Sequence, residues 1–363
     1  MESKLDPKSG DLSLPVDLIR TVAIVLVILL HASLEPNLSV DFMSPQGVEL
    51  WCTSDAYKSI AIAGVPLFAM LTGALLLQPS KVDEPLRIFF KKRWSRIGLP
   101  LIFWGLVYFA WSFFVRGKPL TPDNVLVGIL TGPYYHFWFM YVLIGFYLLT
   151  PVLRVLIAKA DWKIMKYLLI LWLVGTALVP FIGLYENLNP AVNWFQRNVF
   201  FVTGLLGFFI LGPYVTRLRF SRRQLYALLG LGVLSTAVGT YFLIGTLGMD
   251  YSRFLIDAAS LSSVATSVSL FLILARTQNQ LTESGANMGN RVLHAVSENT
   301  LPIYLFHLIV LETLQNGYLG FQISVTTINP VVSIPLLTAL TLFICLAIFV
   351  PLKKVPYLKR VLG

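Results

Sequence analysis

Long apolar runs separated by short polar connections recur from one end of this chain to the other. Crossing the hydrocarbon core of a bilayer takes roughly 20 apolar residues in a helix. Ten runs approach that length, near residues 16–34, 59–78, 97–115, 136–157, 164–184, 195–214, 225–247, 257–276, 297–316 and 330–352. None shows the period-two alternation of a barrel strand, and unpaired backbone cannot face lipid, so each run predicts a helix. The expected fold is an all-α polytopic membrane protein with about ten transmembrane helices. The run 257–276 has the most broken hydropathy of the ten.

The connections give these helices a direction. The N-terminus, 79–96, 153–166, 215–224, 276–296 and the C-terminal tail hold 2, 6, 4, 4, 2 and 4 lysines and arginines, most of the 28 in the chain. The opposite side holds only Lys58, Arg116, Lys118, Arg197 and Arg253. The positive-inside rule places both termini in the cytoplasm. Every loop obeys the alternation, which supports the span count independently of hydropathy. The first run has a short uninterrupted core, Thr21 to Leu30, but the acid-bearing segment before it is unlike the start of a signal peptide; a retained helix is expected. A single integral-membrane unit over 1–363 follows, with 1–15 as a cytoplasmic N-terminal segment and 353–363 as a cytoplasmic tail.

Composition agrees: 56% of the residues are apolar and only 13% charged, outside the range of soluble domains. The net charge of +10 is spread over six cytoplasmic segments. That is the signature of topology and of attraction to anionic headgroups, and it excludes a nucleic-acid surface. Cys52 is expected in an outer loop and Cys345 in the last helix, so neither a disulfide nor a metal site is indicated.

Ionisable side chains inside a span are costly unless they meet a partner or water, so they mark the chemistry. The first run, "LIRTVAIVLVILLHAS", carries Arg20 and His31. Eleven residues at 100° each make three turns plus about 20°, so both lie on one helical face, about 16 Å apart along the axis. Ile24 and Val27 fall between them on that stripe. With the N-terminus inside, Arg20 lies near the cytoplasmic boundary and His31 towards the outer half. A plainer explanation also exists: Arg20 snorkelling to headgroups or pairing with Asp17, and His31 packed against a carbonyl or reaching Glu35.

The remaining histidines are few. His136 opens the fourth run within "YYHFWFMY", where Tyr134, Tyr135 and Trp138 read as an aromatic belt. His307 lies mid-run in "SENTLPIYLFHLIVLE", with Tyr304 one turn before it. Glu312, further out on that helix at about the depth of His31, is placed to orient an imidazole if the two helices meet. His294 reads as solvated. No spacing suits a metal. In "LRIFFKKRWSRIGLP", Arg93 and Arg96 share a helical face, and arginine forks match phosphate oxygens better than lysine does. Lys91 and Lys92 read as interfacial anchors. The serine- and threonine-rich run "DAASLSSVATSVSL" fits either a solute path or close helix packing.

Taken together, "DLIRTVAIVLVILLH", the "RWSR" arginine pair, "AGVPLFAMLTGALLL" with Thr72-Gly73 in place of a Ser-Gly pair, "HFWFMYVLIGFYLLTPVL" and "SENTLPIYLFH" resemble the membrane acyltransferase-3 family of bacterial O-acyltransferases. The resemblance covers nearly the whole chain, in its stand-alone form without an extracytoplasmic esterase-like domain. It implies an O-acetyltransferase of the bacterial cytoplasmic membrane that moves an acyl group from cytoplasmic acyl-CoA to a hydroxyl of a surface polysaccharide or lipid-linked sugar. Acetyl-CoA would be a co-substrate, with no bound cofactor and no metal. His31 would be the general base, by direct transfer or through an acyl-enzyme. Arg20, Arg93 and Arg96 would hold the donor phosphates. Asp17, Glu35, His136, Trp138, Tyr304, His307 and Glu312 would support the site or line its acceptor side. Membrane lipids are further partners, and a homodimer is compatible with the chain. A small-solute transporter is the competing class, against which stands the lack of an inverted repeat between the two halves.

Overall fold

The computed structural model describes residues 15–33, 44–186, 204–215, 218–247, 255, 260–277 and 288–363. Among these there is no strand. Fourteen α-helices follow one another: α1 Val16–Ala32, α2 Pro45–Ala61, α3 Gly64–Leu76, α4 Leu86–Phe114, α5 Pro122–Thr131, α6 Trp138–Lys159 and α7 Trp162–Glu186. Then come α8 Leu205–Leu211, α9 Arg222–Leu247, α10 Leu261–Ala275, α11 Met288–Glu298, α12 Thr300–Gln315, α13 Pro330–Leu352 and α14 Pro356–Leu362. Five helical units are long and apolar enough to cross a membrane: Pro45–Leu76, Leu86–Phe114, Pro122–Lys159, Arg222–Thr246 and Pro330–Leu352. The protein is an all-helical membrane protein.

The apolar runs fold as helices where expected, with boundaries set by chemistry that hydropathy does not register. The second run begins 14 residues early, because Ser44 caps α2 by accepting from the Gly47 amide at 3.1 Å and Pro45 fits the first helical turn. Cys52 therefore lies on a helix rather than in a loop. The basic segment before the third run joins it in one 29-residue helix, α4, with Pro100 inside. The first nine residues of the sixth run, 195–203, lie outside the described set, as do Glu35, Arg197 and Arg253, and its remainder holds α8.

Helix α1 is the hub. It packs against α2, α3, α10, α11, α12 and α13, and Ile19, Ala23, Ile24, Ile28 and Ala32 on it are fully buried. Small residues bring the helices close, as packing without a hydrophobic driving force requires. A Cβ on Gly73 of α3 would stand 1.8 Å from the Phe209 carbonyl of α8, and one on Gly212 would stand 2.0 Å from the Met70 carbonyl. The serine-rich α10 uses the same device against α9, where a Cβ on Gly232 would meet Thr266 Oγ1 at 2.4 Å. Its composition is accounted for by packing. Proline supplies another contact: Pro335 cannot donate to the Val331 carbonyl, and the Tyr57 hydroxyl of α2 donates to it instead, at 2.8 Å.

Candidate active site

Two histidines meet at the centre of the bundle. His31, half-buried near the end of α1, has Nδ1 3.0 Å from Nε2 of His307, which is fully buried on α12. His307 Nδ1 lies 2.7 Å from the Tyr304 carbonyl one turn back. The Tyr304 hydroxyl donates to the backbone carbonyl of His136. His136 lies in the short 3-10 turn Tyr135–Phe137 that leads into α6, which presents its ring to the bundle interior. The ring is fully buried, with its centroid 5.5 Å from that of His307 and 5.0 Å from that of Tyr108. The ring nitrogens of His136 make no hydrogen bond of good geometry, the Leu305 backbone being within reach of the ring. The Tyr135 ring stands edge-on to His31 at 5.6 Å.

Glu312 does not orient His31. The two helices touch, but His307 meets the imidazole, because it lies more than one turn before Glu312 on α12. The Glu312 carboxylate accepts from Trp111 Nε1 at 2.9 Å and from the Tyr134 hydroxyl, with Arg116 Nη1 3.8 Å away. Arg116 in turn donates to the Tyr134 oxygen at 2.6 Å. Tyr134, which reads as a belt aromatic in the sequence, is thus a buried member of a polar network. Trp138 is 43% exposed, and its ring packs edge-on to Phe139.

A second cluster forms at the other end of α1. Arg20, Arg93 and Arg96 all lie within electrostatic range of the Tyr147 hydroxyl on α6. The Arg93 guanidinium also sits over the Phe89 ring at 5.3 Å, and Arg154 covers the same ring at 4.9 Å. Among the described residues, neither Arg20 nor the arginine pair forms an ion pair. The nearby acids are committed elsewhere. Asp17 accepts from His294 at 2.9 Å, and Glu84 binds Lys92 at 2.9 Å and Arg154 at 3.0 Å. The hydrogen bond to Asp17 raises the His294 pKa, so this residue is paired rather than simply solvated. Lys353, just beyond α13, adds a cation to the group. Burial pulls its pKa down to about 8, partly offset by Glu298 and reinforced by Lys359 and Arg96.

Between the two clusters the stripe on α1 is closed. Ile24 is 0% and Val27 1% exposed. A Cβ on Gly64 of α3 would come within 3.0 Å of Val27, so α3 lies directly against this stretch.

Several of these residues escape the sequence reading. Arg154 is 3% exposed and donates to the Leu76 and Lys81 carbonyls at 2.7 and 3.0 Å, yet its place at the end of a run makes it look like one more topology charge. Tyr147, Tyr108, Tyr135, Trp111 and Arg116 carry no spacing signal, since their partners come from other helices. Among the described residues no group of three or more histidine, cysteine or carboxylate side chains could hold a metal.

The arrangement is an imidazole pair between α1 and α12 with a cationic cluster about three helical turns away, whose Arg20, Arg93 and Arg96 form no ion pair among the described residues. The family model described as an acyltransferase domain matches residues 15–350. No curated protein and no solved structure matches the chain. The matched region includes α1, the "RWSR" segment and α12, and with them both clusters apart from Lys353. This chain belongs to the acyltransferase-3 family and is a membrane acyltransferase.

Proposed function

We propose that the protein is an O-acetyltransferase of the bacterial cytoplasmic membrane, with ten spans and both termini in the cytoplasm. The donor is acetyl-CoA and the acceptor a hydroxyl of a surface polysaccharide or its lipid-linked precursor. The observation that carries the reading is the His31–His307 contact, placed on the same helix face as Arg20. Arg20, Arg93 and Arg96, without carboxylate partners, suit the phosphates of the donor. Asp17 is bonded to His294, and Glu84 to Lys92 and Arg154, while each still acts through space on Arg20 and Arg93 respectively. Tyr304, His136 and the Glu312 network line the acceptor side.

In this reading His31 takes the proton from the acceptor hydroxyl as its oxygen attacks the thioester carbonyl. The C–O bond forms and the C–S bond breaks. The departing thiolate then receives the proton from His31, giving free CoA thiol and the acetyl ester. An imidazole suits both steps because its ordinary pKa is near neutrality.

The test is incubation of the purified protein in nanodiscs with labelled acetyl-CoA and surface glycans. Label should appear in the glycan as an ester. His31→Ala should lower the rate by about 10²–10⁴-fold, the usual range for loss of a general base, while acetyl-CoA binding persists. Wild-type rates in that variant would remove His31 from the chemistry. Solute flux with neither hydrolysis nor label transfer would overturn the acyltransfer reading.

A further inference from the structure

We infer that His307 is a positioning residue that fixes which nitrogen of His31 is the base, an inference that rests on the proposed role of His31. The argument follows the protons outward from the backbone. A carbonyl oxygen can only accept, so the 2.7 Å contact between the Tyr304 carbonyl and His307 Nδ1 requires the proton on Nδ1. A neutral imidazole has one N–H, so His307 Nε2 carries a lone pair. That nitrogen is 3.0 Å from His31 Nδ1, which must therefore donate. The lone pair of His31 is then on Nε2, at the edge of the ring turned away from His307. His31 is only half-buried, whereas His307 is fully enclosed, so His31 is the member of the pair that a substrate can reach.

Tyr304 anchors this relay at both ends of its own residue. Its carbonyl holds His307, and its hydroxyl is bound to the His136 backbone carbonyl, which ties α12 to the turn before α6. In the familiar hydrolytic triad a buried carboxylate holds the imidazole tautomer, and its loss leaves the proton on the wrong nitrogen. Here a neutral imidazole does that task through a backbone carbonyl. The positive charge that forms on His31 faces the His307 lone pair, and one proton can be shared between the two rings.

Nitrogen-15 NMR of histidine-labelled protein in nanodiscs, with the four histidines assigned by single substitutions, reads the tautomers directly. For wild-type protein at neutral pH the expected pattern is a protonated Nδ1 and a bare Nε2 on both His31 and His307. A protonated Nε2 on His31 would overturn the inference. In a second arm, His307→Leu should shift His31 toward a mixture of tautomers. It should also lower kcat at least about 100-fold with little change in KM for acetyl-CoA. His307→Gln, whose amide oxygen can still accept from His31 Nδ1, should recover part of that loss. Equal rates in all three proteins would also overturn the inference. The tautomers are read without turnover, so a protein that transfers no acetyl group would fail the functional reading and leave this assignment standing.

Discussion

At the scale of single residues, the cationic cluster has a built-in pH dependence through Lys353. Its pKa of about 8 lies below that of a solvated lysine, mainly because it is buried. Below that pH it is protonated and adds to the field at the donor site; above it the charge is lost. A lysine depressed by burial also destabilises the fold while it is charged; that penalty is full below about 8 and is relieved as pH rises from there toward the ordinary lysine value. Binding and stability should therefore respond in opposite directions. Affinity for 3′,5′-ADP, measured by titration calorimetry, should fall about two- to fivefold between pH 7 and 9, or ~0.5–1 kcal/mol for one partly screened charge. Lys353→Arg should keep its charge and flatten the dependence. The sequence offered no sign of this, because Lys353 reads there as one of four basic residues in a tail. By contrast, the Arg20–His31 stripe was legible, since helical spacing alone brings those two side chains onto one face. The partner of His31 was not: it is 276 residues away, and only the fold brings it close.

At the scale of elements, the hub position of α1 depends on how closely its neighbours approach one another. The α3–α8 contact is backbone against backbone. Gly73→Ala would place a methyl 1.8 Å from the Phe209 carbonyl, which no side-chain rotation can relieve. Overpacking of this kind costs ~1–3 kcal/mol. The thermal midpoint in detergent should drop accordingly, whereas Gly145→Ala on α6, with nothing within 4 Å of its Cβ, should leave it unchanged. The apolar runs showed where helices would lie. They did not show that Pro45 starts a helix, or that Pro335 opens a bond for Tyr57. Those boundaries are set by caps and missing amide protons, which hydropathy does not measure.

At the scale of the whole molecule, the proposed topology assigns each cluster to one side of the membrane. Arg93, Arg96 and Lys353 belong to the cytoplasmic side, and Arg116 to the outer side. Single cysteines introduced at exposed Lys91 and Lys118, in a chain lacking Cys52 and Cys345, should separate cleanly. A membrane-impermeant maleimide added to intact cells should label position 118 and spare position 91. The reverse pattern would invert the protein and place its cationic cluster outside. The sequence was informative here because loop charge is an average over many residues and tolerates errors at each. The inner geometry of the site depends on single contacts between distant segments, and such contacts have no averaged counterpart.

The closed stretch of α1 at Ile24 and Val27 has a bearing on the cell as a whole. In the proposed setting, a bacterial membrane that stores energy as a proton gradient, a wet path continuous from the cationic cluster past His31 to the other side would short-circuit it. The buried apolar side chains of Ile24 and Val27, wedged between the two clusters, would act as insulation. In the proposed reaction the same wedge would deny bulk water to the thioester, keeping the acyl group for the acceptor rather than losing it to hydrolysis. If the donor's arm follows the proposed path, it would pass only when α1 and α3 part. The pace of the enzyme would then be set by how often that seam opens, and a mutation at Gly64 would change turnover without touching either cluster.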